Sequence, residues 1–453
     1  MAEITLRQAA LWCGGHVEEK YADVTFLGAC NDSRKILPGQ LFLALPGARD
    51  GHDFIPMAME KGAAAVLCTK PCGDVPAIIV EDTRIALGKI AKAERQRLGM
   101  KVVGVTGSVG KSTTKEMIAC VLEGSYRVAK TPVNHNNDIG MPMAILSMPA
   151  DTQVAVLEMG MNHFREIAYL TDIAKPDVAV IINIGTMHIE HLGSRQGILQ
   201  AKMEILEGMG TDGVLLLNGD DDMLRGCADT AKLRPDYFGW KNTGCHVRAE
   251  NVEQTEQRLR YRAVAGDQSF PVELFLEGEH YVSDSLAAVS VGLALGVEPE
   301  QIRGRLKAFQ NMSGRQEILH ARGCTVINDC YNAGPESMEA ALRVLGAKKA
   351  RRIAVLGDML ELGPRSQAEH YKVGRLAAET ADLLFTYGPN GRRIASGAIT
   401  GGMPDTKTRV FDDRNALARS LISAAKEGDV ILFKGSHGMH LELIVEQFLK
   451  QET

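Results

Sequence analysis

The run Val103-Gly104-Val105-Thr106-Gly107-Ser108-Val109-Gly110-Lys111-Ser112-Thr113-Thr114-Lys115 leaves few folds open to this chain. Val102, Val103 and Val105 are β-branched and apolar, which predicts a buried strand over 101–106. Gly104, Gly107 and Gly110 let the backbone turn tightly and come close to a ligand. Met117, Ile118, Val121 and Leu122 then share one face of a helix expected over 112–123, with Gly124 as its stop. A strand entering a helix through such a loop presents unpaired N–H groups and the positive end of a helix dipole to an anion. Lys111 adds a point charge for outer phosphates, and the Ser112 hydroxyl is placed to ligate Mg²⁺. The strict phosphate-loop pattern has glycine where this chain has Val105, so Gly-Lys-Ser-Thr-Thr at a strand–helix junction carries the reading.

A chain of 453 residues exceeds one hydrophobic core, and two to four domains are expected. With 45% apolar and 24% charged residues it has the composition of a soluble globular protein. The net charge of −5 comes from interspersed acids and bases, which argues against broad nucleic-acid binding. The first residues lack the basic-then-apolar shape of a signal peptide, and no apolar run suffices for a membrane span. Nine scattered cysteines, with Cys68 and Cys72 the closest pair and nothing nearby to complete a zinc site, read as reduced thiols in a cytoplasmic protein. Without a heptad stretch or a long edge strand, a monomer is expected.

Three α/β units follow. Residues 1–100 form a smaller unit whose Asn31-Asp32-Ser33-Arg34 bend, Pro38-Gly39 turn, apolar strand and Gly47–Phe54 loop suit a ligand-binding edge. Ser33, Arg34 and His52 could hold a phosphorylated ligand there. Residues 101–312 form a central phosphate-loop unit, with strands expected at 153–157, 177–183 and 213–217 in a mainly parallel sheet. The alternating stretch 247–276 suggests a β-hairpin excursion on the surface. Residues 313–453 read as a doubly wound, Rossmann-like unit, with strands at 324–328, 352–356, 382–386 and 428–433 and helices at 336–346, 366–380, 414–426 and 438–449.

Ligands of such sheets bind at the carboxyl ends of the strands. Glu158 ends one strand of the sheet that carries the phosphate loop, where a Mg²⁺-binding acid belongs. His188 emerges just past the strand ending at Asn183, on the same side, and reads as a ligand, whereas His191 reads as structural. The loop Asn134-His135-Asn136-Asn137-Asp138-Ile139-Gly140 crowds many donors together and suits positioning of a polar substrate. Arg315, Asp329, Tyr331, Asn332 and Lys434 to His437 lie at element ends of the third unit and could reach a nucleotide or carboxylate across a cleft. By periodicity alone, Lys202 is a helical surface lysine.

Taken together, Asp32-Ser33-Arg34 with Pro38-Gly39-Gln40-Leu41-Phe42, the loop from Thr106 to Lys115, Asn136-Asn137-Asp138-Ile139-Gly140, Glu158-Met159-Gly160-Met161-Asn162-His163, Ala201-Lys202-Met203-Glu204, Tyr331-Asn332-Ala333 and Lys434-Gly435-Ser436 resemble the Mur ligase family over nearly the whole chain. The resemblance implies three domains, holding in turn a UDP-sugar, ATP with two Mg²⁺ ions, and an incoming dipeptide. It implies addition of D-Ala-D-Ala to the terminal carboxylate of UDP-MurNAc-tripeptide through an acyl phosphate. By the same resemblance Lys111, Glu158, His188 and Lys202 are catalytic. ATP would meet Thr106, Gly107, Ser108, Val109, Gly110, Lys111, Ser112, Thr113, Asn137, Arg315, Asp329 and Tyr331. The UDP substrate would meet Ser33, Arg34, Asn136 and His163. Ser112 and Glu158 would bind one Mg²⁺, and Glu158, His188 and a carbamylated Lys202 the second, since CO₂ addition turns a cation into an oxygen ligand.

The chain departs from the family pattern at His280-Tyr281-Val282-Ser283-Asp284, where Tyr281 and Asp284 stand in place of asparagines that in the family approach adenine and ribose, and at Gly334 and His437. Two other readings stay open: a Mur-type ligase for a different amino acid, and a nucleotide-binding regulator without turnover.

Overall fold

The computed structural model describes residues 3–47, 49–227, 232–256 and 258–450. Its central feature is a sheet in which Lys101–Thr106 lies between Val154–Glu158 and Val178–Ile181, all parallel. Val128–Lys130 forms one edge beyond Val154–Glu158, and Val214–Asn218, Asp236–Gly239 and Val247–Gln254 extend the parallel run on the other side. These strands are covered on both faces, which is why Val154–Glu158 and Val178–Ile181 read as unbroken apolar runs.

The chain leaves Lys101–Thr106 through helix Lys111–Leu122 toward one edge of the sheet, and leaves Val178–Ile181 toward the other. A crevice at that reversal is where an open parallel sheet accepts ligands. Helix Lys111–Leu122 packs with His280–Ala294 on one face of the sheet. Helices Glu166–Ala174 and Arg195–Met203 cover the other.

The stretch 247–276 is not a surface excursion. Val247–Gln254, Leu259–Ala265 and Gln268–Leu274 form an antiparallel continuation of the central sheet. Tyr261, Ala263, Phe270, Val272 and Leu274 are buried, and strands of this set pack on His280–Ala294; the alternation seen in sequence is that of a half-buried sheet. Gln268–Leu274 is also an edge strand of 7 residues, contrary to the expectation of no long edge. Pro271 removes one backbone donor from it, and helix Pro299–Ala308 packs against it.

In the first unit a parallel sheet of Ala29–Cys30, Leu41–Leu43, Ala65–Cys68 and Ala77–Ile79 lies beside helix Leu6–Cys13, whose start is fixed by reciprocal Thr5 and Gln8 capping bonds. Helix Thr83–Leu98 runs straight into the central strand and packs on Gly140–Leu146 and Glu166–Ala174, so the apolar core is continuous across that junction. In the third unit Cys324–Asp329, Val430–Lys434, Arg352–Gly357, Leu383–Tyr387 and Thr408–Phe411 are parallel, with Glu317–Ala321 pairing antiparallel at one edge. The two edge strands and helix Gly391–Thr400 were not anticipated, and the last helix begins at Glu442 rather than 438.

Candidate active site

A cleft of ≈ 610 Å³ opens where the phosphate loop, the ends of the neighbouring strands and the third unit meet. The loop itself is held open by Asn183, two residues past Val178–Ile181. Its Oδ1 accepts from the Ser108 and Val109 amides at 3.0 and 2.9 Å, and its Nδ2 donates to Val109 O at 2.9 Å. Sequence reasoning did not select Asn183, although its place at the end of a strand beside the loop was a usable signal. Lys111 Nζ donates to Gly107 O at 2.9 Å and Ser108 O at 3.2 Å. Desolvation lowers the Lys111 ammonium from its ordinary value, against the attraction of Glu158.

Gly110 occupies the left-handed region with φ 86°, at the cap of helix Lys111–Leu122. A Cβ there would stand 2.8 Å from Asp284 Oδ1. Gly110→Ala therefore costs about 1–2 kcal/mol in backbone strain alone, besides displacing Asp284. A lowered melting temperature together with a raised KM for ATP is the expected result, and an unchanged melt would refute this account of the loop.

Ser112 Oγ donates to Glu158 Oε2 at 2.6 Å, and Asn136 Nδ2 donates to Glu158 Oε1 at 2.8 Å. Arg315, from the segment that enters the third unit, donates to Ser112 Oγ at 2.8 Å, and its guanidinium lies 3.9 Å from the Tyr331 ring centroid. The Tyr331 hydroxyl donates to Asn134 Oδ1. Asp329 and Lys434 pair at 2.6 Å on the cleft wall, where burial still pushes the Asp329 carboxyl up. Residues of two units thus meet on the phosphate loop.

His188 lines the cleft in a left-handed conformation, φ 63°. Its Nδ1 stands 2.8 Å from Glu361 Oε2 of the third unit, close enough to pair but out of line for a hydrogen bond. His188 holds the Glu361 carboxyl below the usual range. Lys202 is 2% exposed on helix Arg195–Met203, not on the surface as periodicity suggested. It lies behind the cleft, without a hydrogen-bond or ion-pair partner among the described residues. Burial, with the nearby Lys111 charge second, takes its amine well below the ordinary lysine range.

Other selected residues fall elsewhere. Ser108 to Thr113, Asn136 and Asn137 line the cleft, whereas Thr106 and Gly107 are packed behind it, with Thr106 Oγ1 donating to Met159 O at 2.9 Å. Asn137 Oδ1 accepts from Gly140 N at 2.8 Å, capping the helix that follows. Ser33 is buried with its hydroxyl 3.3 Å from Met57 Sδ, and exposed Arg34 pairs with Asp32 at 2.9 Å; neither lines this cleft. His163 is exposed, 3.1 Å from Glu166, and lies outside it too. Asp284, expected toward adenine, instead accepts from Thr114 Oγ1 at 2.9 Å beneath the phosphate loop.

Among the described residues no three His, Cys, Asp or Glu side chains gather as a metal site, and no helix is long and apolar enough to cross a membrane. Among the described residues no cysteine is joined in a disulfide.

Family profiles match this chain in three stretches: "Mur ligase family, catalytic domain" over residues 23–95, "Mur ligase middle domain" over 105–292 and "Mur ligase, glutamate ligase domain" over 314–437. The UDP-N-acetylmuramoyl-tripeptide–D-alanyl-D-alanine ligase of Bacillus subtilis (strain 168) is 39% identical over 442 residues, 95% of each chain. That of Escherichia coli (strain K12) is 33% identical over 100% of both chains. Among solved structures, a MurF from Acinetobacter baumannii superposes with a TM-score of 0.91 at 32% identity, covering 100% of both chains. A MurF ligase from Thermotoga maritima in complex with ADP gives 0.82 at 30% identity, covering 93% of this chain and 97% of that one.

Proposed function

The chain belongs to the Mur ligase family, and we propose that its cleft joins D-Ala-D-Ala to the terminal carboxylate of UDP-MurNAc-tripeptide at the expense of ATP, in peptidoglycan precursor synthesis. The names of the full-length relatives support that reaction, and the ADP complex of one relative supports the nucleotide. The observation within this chain that carries the reading is the convergence of Arg315 and Glu158 on Ser112, which brings two units onto one phosphate-binding loop.

The chemistry starts when a carboxylate oxygen of the tripeptide attacks the γ-phosphorus of ATP and ADP leaves. The D-Ala-D-Ala amine then attacks the acyl carbon, phosphate leaves with the bonding pair, and the amine gives up a proton. The first step forces an anion onto a polyanion. Lys111, the loop amides and Arg315 place positive charge where the outer phosphates bind, and a closed cleft strengthens each of these interactions. Asn136 holds the Glu158 carboxylate, and Asn183 keeps the loop in shape before nucleotide enters.

Two Mg²⁺ ions belong to this reading, and the donor set fits them conditionally. Ser112 and Glu158 supply adjacent hard oxygens for one. Glu158 and His188 cannot by themselves make a second site, since no third acid or imidazole joins them among the described residues. A carbamate on Lys202 would provide the missing oxygens, and a buried neutral amine is the form that captures CO₂. When bound, the ions neutralise phosphate charge and polarise the transferred group. We place the UDP-sugar on residues 1–100, ATP on 101–312 and the dipeptide on 313–453, in a cytoplasmic monomer.

The test is phosphate release from ATP with Mg²⁺, UDP-MurNAc-tripeptide and D-Ala-D-Ala, omitting each in turn. Release that needs both peptide partners is expected. Release requiring some other amine would move the reading to a sister ligase, and nucleotide binding without release would move it to a regulator.

A further inference from the structure

Helix Pro335–Gly346 belongs to the third unit, yet its second residue, Glu336, is bonded into the central one. Glu336 Oε1 accepts from Thr186 N at 2.8 Å and from Thr186 Oγ1 at 2.9 Å. One residue earlier, Gly185 N donates to Ser108 Oγ at 2.9 Å, inside the phosphate loop. Gly185 leaves no room for a side chain: a Cβ would stand 2.8 Å from Glu336 Oε1 and 3.2 Å from Ser108 Cβ. Carboxylate, glycine and phosphate loop are therefore stacked in direct contact.

Glu336 is badly suited to touching phosphate, because its charge has the wrong sign. It is also costly as simple glue, since its Oε2 is buried with no hydrogen-bond partner among the described residues. Arg195, which donates to Ile184 O at 2.8 Å, supplies a compensating charge from the central unit. Arg315 reaches the same loop from its other end, at Ser112. We infer that Glu336 is a positioning residue: by docking on Thr186 it transmits the approach of the third unit through Gly185 to Ser108, setting the phosphate loop for transfer only when the incoming dipeptide's unit is in place. The inference rests on the ligase reading above and identifies the contact that couples closure to chemistry.

The experiment compares the full-length protein with Glu336→Ala, Glu336→Gln, Thr186→Val and Gly185→Ala. Glu336→Ala loses about tenfold or more in kcat, while the affinity for a non-hydrolysable ATP analogue, measured without the peptide substrates, stays within about twofold. Glu336→Gln keeps the accepting oxygen and retains kcat within about threefold; Thr186→Val falls between. Gly185→Ala, with its wedge, loses kcat like Glu336→Ala, and the two together lose no more than either alone, as expected for one linkage. Small-angle scattering gives a readout independent of turnover: the compaction of wild type on adding the analogue and both peptide substrates shrinks in Glu336→Ala and returns in Glu336→Gln. Wild-type kcat in Glu336→Ala overturns the inference, and so does an equal loss in Glu336→Gln. If Glu336→Ala melts before assay temperature, Thr186→Val decides, with unchanged kcat counting against. Failure of the wild type to release phosphate would defeat the ligase reading instead, leaving the scattering comparison to judge Glu336.

Discussion

Lys202→Ala lowers the ligation rate about 10²–10³-fold, and stripping bicarbonate and CO₂ from the buffer takes the wild type toward the same floor. A lysine that is 2% exposed, without a partner among the described residues and near a second lysine cannot keep its proton cheaply. Its neutral amine is a nucleophile, and CO₂ is a small enough electrophile to reach it. The product carries two oxygens and a negative charge. Lys111 would stabilise that charge, and its own positive charge adds to burial, the larger cause, in disfavouring an ammonium at Lys202. Lys202→Arg separates this account from a simple need for positive charge. Arginine stays protonated and does not carbamylate, so it should be as inactive as alanine. Intact mass should show one CO₂ increment in wild type and none in either variant. Full activity from Lys202→Ala or Lys202→Arg would dispose of the carbamate.

Nothing in the residues around Lys202 announces its burial. Helix Arg195–Met203 is amphipathic on its own terms, and Lys202 points inward because the helix is pressed between the sheet and its neighbours. Local periodicity cannot report that, and the resemblance of Ala201-Lys202-Met203-Glu204 to a family pattern singled Lys202 out only for a role at a metal, not for burial. The phosphate loop was legible for the opposite reason: its glycines, Lys111 and Ser112 are adjacent in sequence, so the site is a local object. Strand ends were legible too, and Glu158 and His188 both reach the cleft from them. Contacts between distant segments were not. Glu336 meets Thr186 across 150 residues, and Glu361 meets His188 with both in left-handed backbone. Ser33 and Arg34 stood in a turn composition that ligand edges and ordinary turns share, and in the structure they satisfy Met57 and Asp32. Glu317–Ala321 and Thr408–Phe411 escaped notice because edge strands carry half-exposed, mixed sequences rather than the apolar runs of the interior.

Asp284→Asn stabilises the protein, and does so increasingly as pH rises. Asp284 is 4% exposed, and burial raises its carboxyl from 3.8 to about 7. Thr114 donates to it from the loop helix and Arg315 attracts its charged form, but both are outweighed by desolvation. Gly110 abuts the same oxygen, and Tyr281, on Asp284's own helix, is itself held neutral by burial. Because the folded pKa lies above the unfolded one, the native state binds the extra proton, and stability present below the unfolded value is lost as pH rises through about 7. The lost stability approaches about 4 kcal/mol above neutral pH. Asparagine keeps the Oδ1 acceptor for Thr114 and has no proton to lose. In denaturant titrations the advantage of Asp284→Asn over wild type should widen by about 2–3 kcal/mol between about pH 5 and pH 8. The same charge, appearing under a loop that receives polyphosphate, should raise the wild-type KM for ATP over that range and leave the variant's nearly flat. Parallel stability curves for the two proteins would mean that Asp284 stays ionised throughout, with Arg315 and Thr114 compensating its burial in full.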